Sequence, residues 1–206
     1  EYVRKNQEFQ VFSLVGSRFR DGFWAGTGAT GLFWYSYSKD SLSRVKAGSG
    51  SVPSEIHSIF EESDSVLYVA TADNGFHKLL VSEDSAGDIV MESRKTYSFY
   101  SGGREINMFF PLLAQGDSLL WLGSRESGLV RFDRRTEEYQ VISLSGMLHR
   151  PADDILSMCL SKDGGLYVGT ASGLVDVDFS GGQMSFSYVG REQGLPNDMI
   201  HGVIED

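Results

Sequence analysis

Four five-residue segments of this chain repeat one pattern: Phe23-Trp24-Ala25-Gly26-Thr27, Leu67-Tyr68-Val69-Ala70-Thr71, Leu120-Trp121-Leu122-Gly123-Ser124 and Leu166-Tyr167-Val168-Gly169-Thr170. Each reads apolar, aromatic, apolar, small, hydroxyl. The aromatic positions are 44, 53 and 46 residues apart. A period of about 45 residues is the size of one four-stranded propeller blade. The repeat therefore restricts the chain to a stack of small β-sheets, each too thin to bury a core alone.

The unit extends in both directions. After each segment a tight turn ends in Gly31-Leu32, Gly75-Phe76, Gly128-Leu129 or Gly173-Leu174. Glycine there supplies the positive φ that a hairpin turn needs. Before each segment runs an apolar stretch, at 11–15, 56–60, 106–110 and 155–159, with a fifth copy at 200–204. The middle residues of these five stretches are Ser13, Ser58, Met108, Ser157 and Gly202. Small residues at one fixed place mark close approach to the propeller axis or to the neighbouring blade. The stretches lack clean alternation, as strands covered on both faces do. Residues 129–133 and 137–143 alternate polar and apolar, as half-exposed outer strands do.

The expected architecture is all-β: a β-propeller of about four four-stranded antiparallel blades, at roughly 10–47, 55–100, 105–144 and 154–190. Residues 199–206 read as the inner strand of a further blade, so the chain is expected to be part of a larger propeller. On its own it would form an open arc, a four-bladed ring, or half of a ring completed by a second copy. The 53-residue unit carries an insertion, placed at 82–93, that lengthens the outer hairpin. No helical periodicity of useful length is present.

Composition narrows the function. The net charge of −10 and the lack of basic runs set nucleic acid and anionic membrane surfaces aside as partners. The single cysteine, Cys159, excludes an intrachain disulfide and lies in an apolar run, where a buried small hydrophobe is expected. That usage fits a reduced compartment, and equally a large extracytoplasmic domain that needs no staples. No apolar run approaches the roughly 20 residues that span a bilayer, so the chain is not expected to be membrane-embedded. Its start shows no signal-peptide pattern.

The segment Gly194-Leu195-Pro196-Asn197-Asp198-Met199-Ile200-His201-Gly202-Val203-Ile204-Glu205-Asp206 resembles the repeat of the two-component regulator propeller family. There a Gly-Leu-Pro turn leads into an inner strand ending in Glu-Asp, then a turn, an aromatic strand and a Gly-Leu turn. The later elements stand here as the turn Ser161-Lys162-Asp163-Gly164-Gly165, the aromatic segment from Leu166 to Thr170, and Gly173-Leu174. The resemblance covers roughly residues 10 to 206. The first three blades lack Gly-Leu-Pro, Ser51-Val52-Pro53-Ser54 being the nearest approach. The resemblance implies a periplasmic sensor of a hybrid two-component system of the Bacteroidetes type. Such a module detects carbohydrate breakdown products, and it signals to a histidine kinase not contained in this chain. It implies an oligosaccharide ligand, and a homodimer or the remaining blades of a parent protein as partner.

Chemistry in the residues themselves is sparse. His57, His77, His149 and His201 do not cluster at metal-ligand spacing, and neither metal nor cofactor is expected. No Gly-x-Ser-x-Gly elbow occurs. The Ser161–Gly165 turn faintly resembles the Asp-box of sialidase propellers, which is a fold element. The pairs Glu61-Glu62, Glu137-Glu138 and Glu205-Asp206 read as solvated strand ends, and no spacing brings two carboxylates to glycosidase separation.

A binding site at the mouth of the propeller fits better, built from the loops entering the inner strands and the turns leaving the aromatic strands. The loops are 48–55, 101–105, 145–154 and 190–198, and the turns 28–30, 72–74, 125–127 and 171–172. Arg104, Arg125, His149, Arg150, Arg191 and Asn197 are the candidate ligand-binding residues, since guanidinium forks grip carboxylates, sulfates or sugar hydroxyls. Trp24, Tyr68, Trp121 and Tyr167 are expected in the core. The aromatic run Gly31-Leu32-Phe33-Trp34-Tyr35-Ser36-Tyr37 serves blade packing, or contact with a partner chain. Three classes stay open: a sensory binding module, a pure dimerisation scaffold, and a propeller glycosidase or lyase.

Overall fold

The computed structural model describes residues 10–49 and 53–205, so Ser51, Val52 and Asp206 lie outside the described residues. The chain is all-β, an array of antiparallel β-propeller blades. It divides into two compact units, the first ending at Thr96 and the second beginning at Tyr97.

The first unit holds two blades. Blade 1 is β1 (Val11–Gly16), β2 (Gly22–Thr27), β3 (Leu32–Ser36) and β4 (Ser41–Arg44), each paired with the next. Blade 2 is β6 (Ile56–Glu61), β7 (Val66–Thr71), β8 (Phe76–Glu83) and β9 (Ile89–Tyr97), preceded in the chain by β5 (Lys46–Ser49). β5 leaves blade 1 and pairs in parallel with β9, covering the outer edge of blade 2. The insertion expected at 82–93 is the end of β8, the turn and the start of β9. Asp84 Oδ1 accepts the amides of Ala86 and Asp88 and so closes that turn.

The second unit begins with a small hairpin of β10 (Phe99–Ser101) and β11 (Arg104–Ile106). Blade 3 is β12 (Phe109–Gln115), β13 (Leu119–Ser124), β14 (Leu129–Asp133) and β15 (Tyr139–Ile142). A five-residue helix, α1 (Leu144–Leu148), precedes blade 4: β16 (Ile155–Leu160), β17 (Leu166–Thr170), β18 (Gly173–Asp178) and β19 (Ser185–Val189).

Every inner strand carries a β-bulge at the same place. Val11 pairs with Thr27 and then Ser13 with Gly26; Ile56 with Thr71 and then Ser58 with Ala70; Ile155 with Thr170 and then Ser157 with Gly169. In blade 3 Phe109 pairs with Ser124, and the register resumes at Leu112 with Leu122. The third inner strand therefore starts at Phe109 rather than Ile106, and Pro111, not Met108, occupies the position of Ser58. An apolar run does not announce its own register. Proline, which has no amide to donate, is tolerated at a bulge.

The register explains the five-residue pattern. A side chain on Gly26 would meet Ile56 Cγ2 at 2.7 Å, and one on Gly123 would meet Ile155 Cγ2 at 2.5 Å. At these two glycines the small position is thus where the next inner strand presses its isoleucine. The hydroxyls of Thr27, Thr71, Ser124 and Thr170 donate to the carbonyls of Gly31, Gly75, Gly128 and Gly173 at 2.8, 2.9, 2.8 and 2.8 Å. Those of Thr27, Thr71 and Thr170 also accept the turn amides of Thr30, Asn74 and Ser172. Each hydroxyl locks the turn immediately after it.

In blades 1 and 3 the aromatic residue of the pattern faces onward in the chain. Trp24 packs with Trp34 and Val45 against Ile56, Leu79, Ile89 and Met91 of blade 2. Trp121 packs with Leu129 and Ile142 against Ile155, Leu166 and Val168 of blade 4. Trp24, Tyr68 and Trp121 are buried, as expected. Tyr167 is half-buried, because among the described residues blade 4 is succeeded only by the segment after Asp198.

That segment departs from expectation. Residues 200–204 form no ladder, since a strand needs a neighbour and none is present among the described residues. The segment still lies against blade 4 where the inner strand of a following blade would. Ile200 N donates to the Thr170 carbonyl at 2.9 Å, and Ser157 Oγ donates to the Ile200 carbonyl at 3.0 Å. Cys159, expected in the core, is half-buried; it pairs with Tyr167 in the same cross-strand row of blade 4.

Candidate functional site

The entry to blade 4 is a loop closed by side-chain hydrogen bonds. Ser143 caps α1, its Oγ accepting the Gly146 amide at 3.0 Å, while that hydroxyl donates to Asp153 Oδ2 at 2.8 Å. Asp153 Oδ1 accepts the Ser145 amide, and Ser145 Oγ accepts the amide of Ala152. This closed set of polar contacts fixes a loop whose sequence shows only scattered small residues.

Two of the six expected ligand-binding residues converge on this entry. Arg125, on the turn after β13, pairs its Nε with Asp154 Oδ1 at 2.7 Å and lies 5.3 Å over the Phe110 ring. Arg150 stacks on Tyr188, its guanidinium carbon 3.7 Å from the ring centre. The Tyr188 hydroxyl donates to the Ser172 carbonyl, in the turn after β17. Both arginines are half-buried and held by specific neighbours, so their orientation is set before any ligand arrives.

Of the other four, His149 shares this loop and the rest lie elsewhere on the second unit. Arg104 is exposed at the start of β11, and His149 is exposed in a left-handed conformation at the end of α1. The Arg191 amide donates to Asp198 Oδ1, and Asn197 Oδ1 accepts the Met199 amide. The Asn197 side-chain oxygen thus helps to shape the turn that leads to Ile200. Among the described residues no hydrogen bond, ion pair or ring contact joins these four to Arg125 or Arg150. Asp154 and Tyr188 were not legible as site residues: the first is one of 28 acidic residues, and the second lies on an outer strand.

The first unit has its own hollow at its entry loops, about 540 Å³, lined by Gln10, Phe12, Thr30, Glu55 and His57 among others. His57 stacks on Phe12 with ring centres 4.2 Å apart and planes 13° apart. An aromatic platform beside an amide and a carboxylate suits a polar, ring-shaped ligand. Burial lowers the pKa of His57 from its usual value. Burial likewise lowers that of His77, offset in part by a backbone hydrogen bond at Asn74 and the charge of Asp73.

These two imidazoles set a pH dependence. Their folded pKa values lie below the unfolded value of about 6.5, so the unfolded chain takes up protons first as pH falls. Stability is full above about pH 6.5 and declines as pH drops through the depressed folded values. The carboxylates of Asp84, Asp133 and Asp178, held down chiefly by backbone amides, lose their contribution only in the more acid carboxylate range. The urea midpoint is expected to be lower at pH 5 than at pH 8, and His57→Phe should flatten part of that slope. Equal midpoints at the two pH values would refute it.

Glu61 is not the solvated strand end expected of it. It is 6% exposed and accepts Trp24 Nε1 at 2.8 Å, Ser17 Oγ at 2.7 Å and the Arg18 amide at 2.8 Å. It ties blade 2 to the turn of blade 1. Glu205 repeats part of this, accepting the Lys162 amide at 2.6 Å from the position five residues after Ile200. Among the described residues no group of three metal-ligating side chains comes together, and no helix is long and apolar enough to cross a membrane.

No protein-family model matches the chain. No curated protein matches it significantly. Solved structures do. The extracellular domain of the hybrid two-component system BT3049 of B. thetaiotaomicron superposes with a TM-score of 0.63 at 17% identity, over 91% of this chain and 25% of that one. That of BT4673 from the same organism gives 0.67 at 18%, over 98% of this chain and 25% of that one. The WD40 propeller domain of Doa1 gives 0.64 at 13%, over 93% and 55%. The chain thus spans about a quarter of the two sensor domains. The neighbours share its β-propeller fold, and two of them are the kind of protein that the sequence resembles.

Proposed function

We propose that this chain is a non-catalytic sensory propeller module from the extracytoplasmic region of a hybrid two-component signalling protein. In this reading it takes a carbohydrate-derived ligand at its entry loops and works as part of a larger propeller or as a homodimer. The observation that carries the reading is the pair of pre-oriented arginines around the blade 4 entry. Arg125 with Asp154 offers a donor fork beside an acceptor, the arrangement that neighbouring sugar hydroxyls or a uronate carboxylate would meet. Arg150 on Tyr188 adds a second fork from the same loop. The likeness to extracellular domains of sensors supports the periplasmic side as its location.

The test is calorimetric titration of the chain with a panel of neutral and uronate-containing oligosaccharides. At least one should bind saturably, and Arg125→Gln or Arg150→Gln should weaken it about tenfold with the fold intact. No binding up to about 1 mM, or binding indifferent to both substitutions, would overturn the reading.

A specific observation favours a scaffold role as well. On blade 1, Phe23 and Tyr35 stack at 4.8 Å beside Tyr37, which is 57% exposed, and Leu14 is 65% exposed. An aromatic surface of this kind suits a second copy of the chain. A Tyr37→Glu variant with unchanged mass by light scattering would exclude it.

A further inference from the structure

Between the outer strands of blade 3 and the β18–β19 hairpin of blade 4 lies a groove of about 1080 Å³. Its floor is Trp121 and Phe179, stacked 5.5 Å apart with planes 20° apart. Its walls are mostly apolar, with Met147, Met184 and Phe186 prominent. Arg131 is its one charged lining residue.

The internal repeat shows that this opening is not dictated by the blade geometry. In blade 1 the residue across from Trp24 is Trp34; in blade 3 the residue across from Trp121 is Arg131. Trp34 is 7% exposed, and with Val45, Ile89 and Met91 it fills the wedge of the first unit. In blade 3 the same register position carries a guanidinium, where blade 2 has Lys78 and blade 4 Asp176, and the wedge between blades 3 and 4 stays open.

That guanidinium is half-buried and has no ion-pair partner among the described residues, in a chain with ten more acidic than basic side chains. Gln115 also lines the groove, and Asp133 stands two residues further along β14. Gln115 is engaged with Trp121 Nε1 and the Gly164 carbonyl, and Asp133 with Ser118 and its own turn amides. Gln140 sits directly across the ladder and adds a neutral amide. A cation at the end of a methionine- and aromatic-lined groove is complementary to an apolar body bearing one negative group. The volume suits a molecule rather than a single ion.

We propose that this wedge is a second ligand site, for an amphipathic organic anion whose apolar part lies on Trp121, Phe179 and Met147 and whose charge meets Arg131. It shares α1 with the blade 4 entry through Ser143, Gly146 and Met147, but neither Arg125 nor Arg150 lines it.

The probe is 8-anilino-1-naphthalenesulfonate, titrated into the intact chain by fluorescence, with dodecanoate and the uncharged 1-anilinonaphthalene as comparisons. The sulfonate should bind saturably at one site and be displaced by dodecanoate. Arg131→Gln should weaken the sulfonate at least tenfold while changing the uncharged analogue little. Met147→Glu, at a side chain 59% exposed and so harmless to folding, should weaken both anions and serves if Arg131→Gln does not fold. An absence of saturable binding, or equal sulfonate affinity in the folded variants, would overturn the site.

Discussion

Replacing Glu61 with alanine should lower the unfolding free energy by about 3 kcal/mol, the scale of losing one partner of a buried charged group. The carboxylate is almost fully buried at the end of β6 and receives three donors from blade 1. One of them is the indole of Trp24, itself fully buried, which would be left without an acceptor. The other two belong to the turn between β1 and β2, so that turn should loosen as well. Glu61→Gln keeps one oxygen but turns an amide towards the remaining donors, and about half the loss should return. Urea unfolding followed by tryptophan emission measures both variants. A loss below about 1 kcal/mol for the alanine variant would show that apolar packing alone joins blades 1 and 2.

Gly128→Ala should cost more than about 3 kcal/mol, from two causes acting together. The residue has a φ of 81°, which is unfavourable for any side chain by about 1–2 kcal/mol. An added Cβ would also stand 2.3 Å from the Ile142 carbonyl oxygen and 2.8 Å from Asp153 Oδ1. Neither can retreat easily: Ile142 is in the β14–β15 ladder, and Asp153 holds the start of α1. Gly116→Ala separates the causes, since its φ is 59° and nothing lies within 4 Å of the added carbon. It should lose only about 1–2 kcal/mol. Equal losses in the two variants, read by thermal or urea unfolding, would show that crowding around Gly128 is unimportant. The same substitution should displace Arg125, three residues earlier on that turn, and weaken any ligand held there.

The repeat is written in the residues themselves, and it dictates the architecture. Each position of the five-residue pattern has one physical duty that recurs from blade to blade. In blades 1 and 3 the aromatic packs onto the next blade and the small residue admits its isoleucine, while in all four blades the hydroxyl locks the turn that follows, where a glycine takes the positive φ. Duties confined to neighbours within one blade, or to the next copy of the same pattern, leave a periodic trace in the chain.

Apart from the insertion at 82–93, what distinguishes one blade from another took shape largely in three dimensions. The start of β12 at Phe109 could not be read from an apolar run whose members are interchangeable; the bulge opposite Ser124 fixes it. Glu61 reads as one more surface acid until Trp24 and Ser17, 37 and 44 residues earlier, are seen to converge on it. The six residues expected at a site were chosen by loop position. Which of them meet was set by Asp154, Tyr188 and Phe110, each contributed by a different strand or loop. Arg131 gives no signal in the sequence either, because its meaning lies in the contrast with Trp34 at the same register. The pattern of a repeat records the features that all blades must share. Their differences depend on contacts between residues far apart in the chain, and these carry no period.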